Sequence, residues 1–263
     1  RFGQKMGDAA AVDMMTGALS CPFGTGHMGV TAENVAAEHD VSREAQDAFA
    51  LESQHRAGRA IEGGHFAGQI APFAIRTRKG EIVFDTDEHP KPSTTADDLA
   101  RLRPVFRKDG TVTAGNASGI NDGAAALVLA DAETADKAGR TAKARILGYA
   151  HAGVRPEVMG LGPVPAVTHL LERLGLGPDD FDVIESNEAF AAQALAVNSG
   201  LGLDPEKVNP NGGAIALGHP IGATGAILVL KCLAELERTG ARRGLVTMCI
   251  GGGQGIALAL ERP

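Results

Sequence analysis

The sequence predicts an α/β protein whose second half is a mixed sheet between helix layers. Three observations predict it. After residue 123, short apolar runs alternate with segments of helical pattern, the signature of layered α/β architecture. Four of the six residues that follow Cys249 are glycine, and they lie between two apolar runs, which reads as a strand hairpin. The chain has 263 residues, 44% hydrophobic and 22% charged, enough for one large core or two ordinary ones.

The elements follow in order. Residues 1–121 are polar and irregular, with helical patches. Thr31 is read as the N-cap of a short helix over 32–38. Ser42 is read as the N-cap of a longer helix, with Glu44 in its first turn where the backbone dipole favours negative charge. Ala45, Ala48 and Phe49 give that helix its packed stripe, and Gly63-Gly64 ends it. Residues 81–84 are a strand candidate, and the Pro-rich stretch 90–93 is a loop. Residues 123–130, Gly-Ala-Ala-Ala-Leu-Val-Leu-Ala, form a continuous apolar run suited to a strand buried on both faces; periodicity alone leaves helix open. Beyond it the reading gives strands at 144–149 and 181–185 and helices at 163–174 and 189–199. A long helix at 222–239 and strands at 244–249 and 255–261 complete it.

The net charge of −7 makes the chain a poor partner for nucleic acid. The chain opens at Arg1, and 1–8 carries charge without an apolar run, so it reads as a processed or truncated end rather than a signal peptide. Apolar runs are short and cut by Gly, so no membrane helix is expected. The three cysteines, Cys21, Cys232 and Cys249, are an odd number with no CxxC pair. That argues against a disulfide framework or a Cys-rich zinc site and points to a cytoplasmic compartment.

Three motifs carry chemistry. Asn187-Glu-Ala-Phe190 follows the strand at 181–185, at a strand end where open α/β sheets place ligands. Asn187 sits where a helix cap belongs, and capping alone is the plainer reading. Asn211-Gly-Gly-Ala-Ile-Ala-Leu-Gly-His219-Pro-Ile-Gly places His219 before Pro220, a residue suited to the first position of a helix. A His there feels the positive end of the dipole, which favours neutral imidazole, useful as a base or a donor. Cys249-Ile-Gly251-Gly-Gly-Gln-Gly255 joins a buried cysteine to exposed backbone N–H groups. The thiolate would act as a base and the N–H groups as an oxyanion hole, unless the glycines only make a tight turn.

Taken in this order and spacing, the three motifs resemble the thiolase family, the acetyl-CoA C-acyltransferases. The likeness continues in His27-Met28-Gly-Val-Thr-Ala-Glu-Asn34, Arg101-Leu-Arg-Pro104 and Thr113-Ala-Gly-Asn-Ala-Ser118-Gly-Ile-Asn-Asp122, and it spans essentially the whole chain. The resemblance implies a thiolase fold, layered α-β-α-β-α in the complete enzyme. Residues 1–121 would be the substrate-covering loop domain. Residues 122–141 would return the last strand and its following segment to the N-terminal core, and 142–263 would be the C-terminal core.

The resemblance also implies a mechanism. A reactive cysteine from the N-terminal half takes the acyl group, activated by the position matching His219, which also lines the hole that holds a thioester oxygen. Cys249 matches the residue that moves the α-proton of the second acyl-CoA. Asn187 matches the residue holding a water in one oxyanion hole, and the Gly251 N–H matches a donor of the other. His27, Met28, Ser118 and Phe190 match positions lining the acyl and pantetheine channel, and Lys91 matches a basic position near the CoA nucleotide. Coenzyme A is a substrate; no metal or bound cofactor is implied. A homo-oligomer, dimer or tetramer, is expected, with no nucleic-acid or membrane partner. His27-Met28 is closer to the short-chain, acetoacetyl-CoA type.

Two departures stand out. No cysteine of the chain lies in the Gly/Ser-bordered strand-to-helix context of the nucleophile, so the chain is read as lacking that N-terminal segment. Asp98 stands where some relatives carry a CoA-contacting Ser. The rival enzyme class, a ketoacyl synthase, uses a second His where this chain has Cys249. The rival outside catalysis is an acyl-CoA-binding or lipid-carrier homologue, or an inert fragment.

Overall fold

The structure is a computed structural model describing residues 6–263, so part of the opening stretch read above lies outside it. The first described helix, α1, is Met14–Ala18, capped by the Asp13 side chain. Helix α2, Met28–Glu38, is longer than the sequence reading. Its N-cap is His27, whose Nδ1 accepts from the Gly29 N–H at 3.0 Å, and Thr31 lies inside the helix rather than at its start. The Thr31 hydroxyl is spent on the Met28 carbonyl instead. Helix α3, Arg43–Glu62, starts at Ser42 and stops at Gly63, as the sequence dictates.

Strands β1, Phe73–Thr77, and β2, Gly80–Phe84, form an exposed antiparallel hairpin. Only the second had been legible, because the first interleaves Ala and Arg without a clean alternation. Helix α4, Ala96–Ala100, begins with a reciprocal capping box between Thr95 and Asp98.

The run 123–130 is the largest correction. It forms no strand: its backbone is irregular and its side chains mostly face outward, before α5, Ala132–Lys137. Among the described residues it has no ladder partner, and a strand exists only as one side of a pair.

The remaining elements form the sheet region. Strand β3 is Arg145–Gly153, α6 is Pro163–Leu174, β4 is Val183–Ser186 and α7 is Ala191–Leu201. A short α8, Ala214–Leu217, precedes α9, Thr224–Thr239, then β5, Arg243–Ile250, and β6, Gln254–Glu261. The sheet order is β3-β6-β5-β4, with β4 parallel to β5 and the other pairs antiparallel. Both faces of the central strands are covered. Ile184, Leu245, Ala257 and Ala259 pack under α6 with Leu170 and Phe181. Val183, Val246 and Leu260 meet Leu228, Cys232 and Leu236 of α9 on the other face. This period-two exchange explains why the strands read as unbroken apolar runs. No described helix is long and apolar enough to cross a membrane.

Candidate active site

The parallel pairing of β4 with β5 brings two strand ends to one edge of the sheet. Asn187 leaves β4 there, with its N–H bonded to the Thr247 carbonyl of β5 at 3.0 Å. Cys249 sits two residues further along β5. The helix after Asn187 starts later than the sequence suggested, with Phe190 as its N-cap, so Asn187 does not cap it. Its side chain is free for other work. Asn187 Nδ2 stands 3.4 Å from His219 Nε2, and Asn187 Oδ1 is buried with no partner among the described residues.

His219 is carried by the turn between α8 and α9. Its backbone N–H donates to Asn121 Oδ1 at 3.1 Å, and its Nδ1 lies 2.6 Å from Thr224 Oγ1. The sequence had placed His219 at a helix start. In the structure α9 begins at Thr224, five residues on, and Pro220 opens a turn instead of a helix. His219 is nevertheless held below the ordinary histidine range, because burial penalises its charged form.

The loop that delivers His219 is clamped from beneath. Glu188 accepts from the Ser53 hydroxyl at 2.7 Å, the Asn209 amide at 2.8 Å and the Ile215 N–H at 3.2 Å. A Cβ on Gly213 would run into that carboxylate, so glycine is required there. Lys231 of α9 donates to Glu185 and to the Gly212 carbonyl, both at 2.7 Å, in a fully buried pair. Burial pushes the Glu185 and Glu188 carboxyls up, against the pull of these partners.

Cys249 is 6% exposed and packs with Ala32, Val112, Met159, Ala189 and Phe190. Burial pushes its thiol up to about 12, so it rests as the thiol and not as the thiolate the sequence reading used. The hairpin beyond it needs its glycines: Gly252 and Gly253 have φ of 83° and 91°, and a Cβ at Gly251 would overlap the Met28 methyl. Met28 thus lies directly against the Gly251 backbone. The loop-domain wall continues through Phe106, stacked on His27 at 4.8 Å and edge-on to Phe190 at 6.2 Å.

That wall is set by a relay of backbone contacts. Glu33 of α2 accepts from the Thr111 and Val112 N–H groups. The chain then runs to Ser118, whose N–H bonds Ala189 O at 3.0 Å, while the Ala191 N–H bonds Asn116 O at 2.8 Å. Ser118, Phe190, Met28 and His27 therefore gather around the same strand ends as Asn187, His219 and Cys249. Lys91 is the outlier. It is exposed, and only its backbone is fixed, by Gln54 Oε1 at 2.8 Å. Sequence reasoning missed Thr224, Asn121 and Phe106. Asn121 lies inside a quoted motif and Thr224 two residues beyond one, but their roles depend on contacts that residue spacing does not reveal.

The other two cysteines sit elsewhere. Cys232 is sealed between α9 and the sheet, where burial raises its thiol further. Cys21 lies in the turn closed by the Ser20–His27 bridge.

Comparison with known proteins sharpens this picture. The family model described as "Thiolase, N-terminal domain" matches residues 1–133, and "Thiolase, C-terminal domain" matches 140–262. The chain is 60% identical over 263 residues to Beta-ketothiolase BktB of Cupriavidus necator, covering 100% of this chain and 67% of that protein. It is 62% identical over 242 residues to a Beta-ketoadipyl-CoA thiolase of Pseudomonas aeruginosa, covering 91% of this chain and 60% of that protein. The crystal structure of the Bacillus anthracis acetyl-CoA acetyltransferase superposes with a TM-score of 0.94 at 48% identity, covering 100% of this chain and 67% of that one. The chain thus spans about two thirds of the length of the proteins it matches.

Proposed function

Because the chain belongs to the thiolase family, we propose that it carries the acid–base half of a thiolase active site. The reaction is the condensation of two acetyl-CoA to acetoacetyl-CoA and CoA, or the reverse cleavage of a 3-ketoacyl-CoA by CoA. The observation that carries this reading is the Asn187–His219 pair, 3.4 Å apart at the strand edge that also ends in the buried Cys249 thiol.

The chemistry follows from the charge states. A neutral, buried His219 accepts the proton of an attacking thiol, leaving a sulfur able to form the acyl thioester. In the cleavage direction the C2–C3 bond of the ketoacyl group breaks, and its electron pair becomes an enolate. A thiol with a pKa of about 12 stays protonated until that carbanion forms, then Cys249 gives its proton to C2. The thiolate left behind is strongly basic and retrieves a proton from the incoming CoA thiol, whose ordinary value lies several units lower. Condensation runs the same steps backwards. The Gly251 N–H stabilises the enolate oxygen, and Asn187 Oδ1, buried and without a partner among the described residues, holds a water that donates to the other thioester oxygen. His27, Met28, Ser118 and Phe190 line the approach, with Lys91 toward the nucleotide end. Residues 1–121 close over the substrate.

A second reading, acyl-CoA binding without turnover, is favoured by one observation: Cys232 is sealed in the core, and Cys21 lies in a turn rather than at a strand end. The test separates the two. In the full-length protein, acetoacetyl-CoA cleavage by CoA is measured together with its half-reactions. Cys249→Ser is expected to slow condensation by about 10² to 10⁴ and acylation far less, since a hydroxyl is a poor proton shuttle. Equal losses in both half-reactions would contradict the role of Cys249. Binding without any turnover in the wild type would select the second reading.

A further inference from the structure

We propose that Thr224 is the positioning residue that holds His219 in the tautomer protonated on Nδ1, so that Nε2 keeps the lone pair the reaction uses. The inference rests on the acyl-transfer reading above and extends it to a residue outside the reacting atoms.

Three distances fix the protons around the ring. Thr224 Oγ1 is 2.9 Å from the Pro220 carbonyl and donates its one proton there. Its lone pairs remain available, and His219 Nδ1 lies 2.6 Å away. An oxygen that has spent its proton is an acceptor, so Nδ1 must carry the hydrogen. On the far side of the ring, Nε2 faces the Asn187 amide nitrogen at 3.4 Å, a donor, and so needs no hydrogen of its own. Thr224 is only 3% exposed, so its hydroxyl is turned to the Pro220 carbonyl and the His219 ring rather than to solvent. A buried N–H with no acceptor costs free energy, so the ring follows its partner.

The geometry also suits the charged intermediate. When Nε2 takes the thiol proton, the imidazolium keeps its Nδ1–H on Thr224 and gains a charge-assisted bond there, while Nε2 gives up the Asn187 amide donor. The turn 219–223 makes this possible: it returns the first residue of α9 beneath the ring five residues earlier, and the Pro220 carbonyl fixes the hydroxyl rotor.

The experiment uses full-length protein labelled with ¹⁵N-histidine, with His219→Asn identifying the His219 signals. In the wild type without substrate, the His219 spectrum should show a protonated Nδ1 and a non-protonated Nε2. Thr224→Val, nearly equal in shape but without the acceptor, should shift the ring toward the Nε2–H tautomer. It should lower kcat for acylation about tenfold to a hundredfold with little change in KM. Thr224→Ser should restore both readouts. A wild-type ring protonated on Nε2 would overturn the proposal, as would Thr224→Val with wild-type tautomer or wild-type kcat. The wild-type spectrum decides even if Thr224→Val fails to fold. The tautomer is read without turnover, so the expected spectrum in a protein that makes no acetoacetyl-CoA would sink the thiolase reading and leave the Thr224 assignment standing.

Discussion

Residues 123–130 and strand β5 have similar apolar content and opposite fates. Val128 and Leu129 are 99% and 75% exposed, whereas Leu245 and Val246 are 0% and 6% exposed. The difference lies in their neighbours. Strand β5 has β4 on one side, β6 on the other, α6 over one face and α9 over the opposite face. The 123–130 run has no ladder partner among the described residues. An apolar run specifies that a segment seeks burial, but a strand is a relation, and the second member must be present for it to form. This is also why Asn187 and Cys249 of the proposed site lie at the ends of β4 and β5: fully covered strands hold their ends in fixed places.

The sharpest way to break this comparison is to disturb the charge beneath the strand ends. Lys231→Met would leave Glu185 buried beside an already unpartnered Oε1, and should cost about 3–5 kcal/mol. Denaturant unfolding measures it; a loss below 1 kcal/mol would mean that the pair does not brace β4. The paired truncations come next. Leu245→Ala should cost about 2–5 kcal/mol, while Leu129→Ala in the same 263-residue chain should stay within about 0.5 kcal/mol. Equal costs would show that 123–130 is covered in solution.

A pH experiment sharpens the account of the site itself. Burial lowers the folded-state value of His219, so the unfolded chain takes up that proton first as pH falls through about 6.5. Through this group the native state is unaffected above that range. It loses stability as pH falls from there to the lowered folded value. The Tm difference between wild type and His219→Asn should therefore move against the wild type from pH 7.5 to pH 5.5. The acidic limb of acylation should lie below the ordinary histidine value, and a limb above it would contradict a burial-lowered base. The smallest effect is expected at Val128→Lys, which should leave Tm nearly unchanged in the 263-residue chain yet reduce its self-association, read by light scattering.

Much of the sheet region was legible because its signals are local. Pro163 opens α6 and Gly175 closes it in a left-handed conformation, and the glycines at 251–253 announce the β5–β6 hairpin. The site was legible as three motifs, and the structure brings Asn187, His219 and the Cys249 strand end to one edge. What was not legible depends on the path of the chain. The turn after Pro220 displaces the start of α9, which removes the dipole argument for His219 and replaces it with burial. Thr224 reaches His219 only through that turn, and Asn121 meets it from a segment 98 residues away. Glu185 and Lys231, 46 residues apart, meet only once α9 is laid on β4. The apolar run 123–130 has no strand partner among the described residues, and periodicity carries no information about partners.

The central claim is that Cys249 moves the α-proton while His219 serves the sulfur step, and deuterium exchange tests it most directly. Full-length protein is incubated with acetyl-CoA in D₂O, and deuterium entering the acetyl methyl group is followed by mass spectrometry. Acylation is followed separately as single-turnover release of CoA. The account predicts that the wild type exchanges, that Cys249→Ala loses exchange while still releasing CoA, and that His219→Asn loses CoA release. Exchange at the wild-type rate in Cys249→Ala would contradict it.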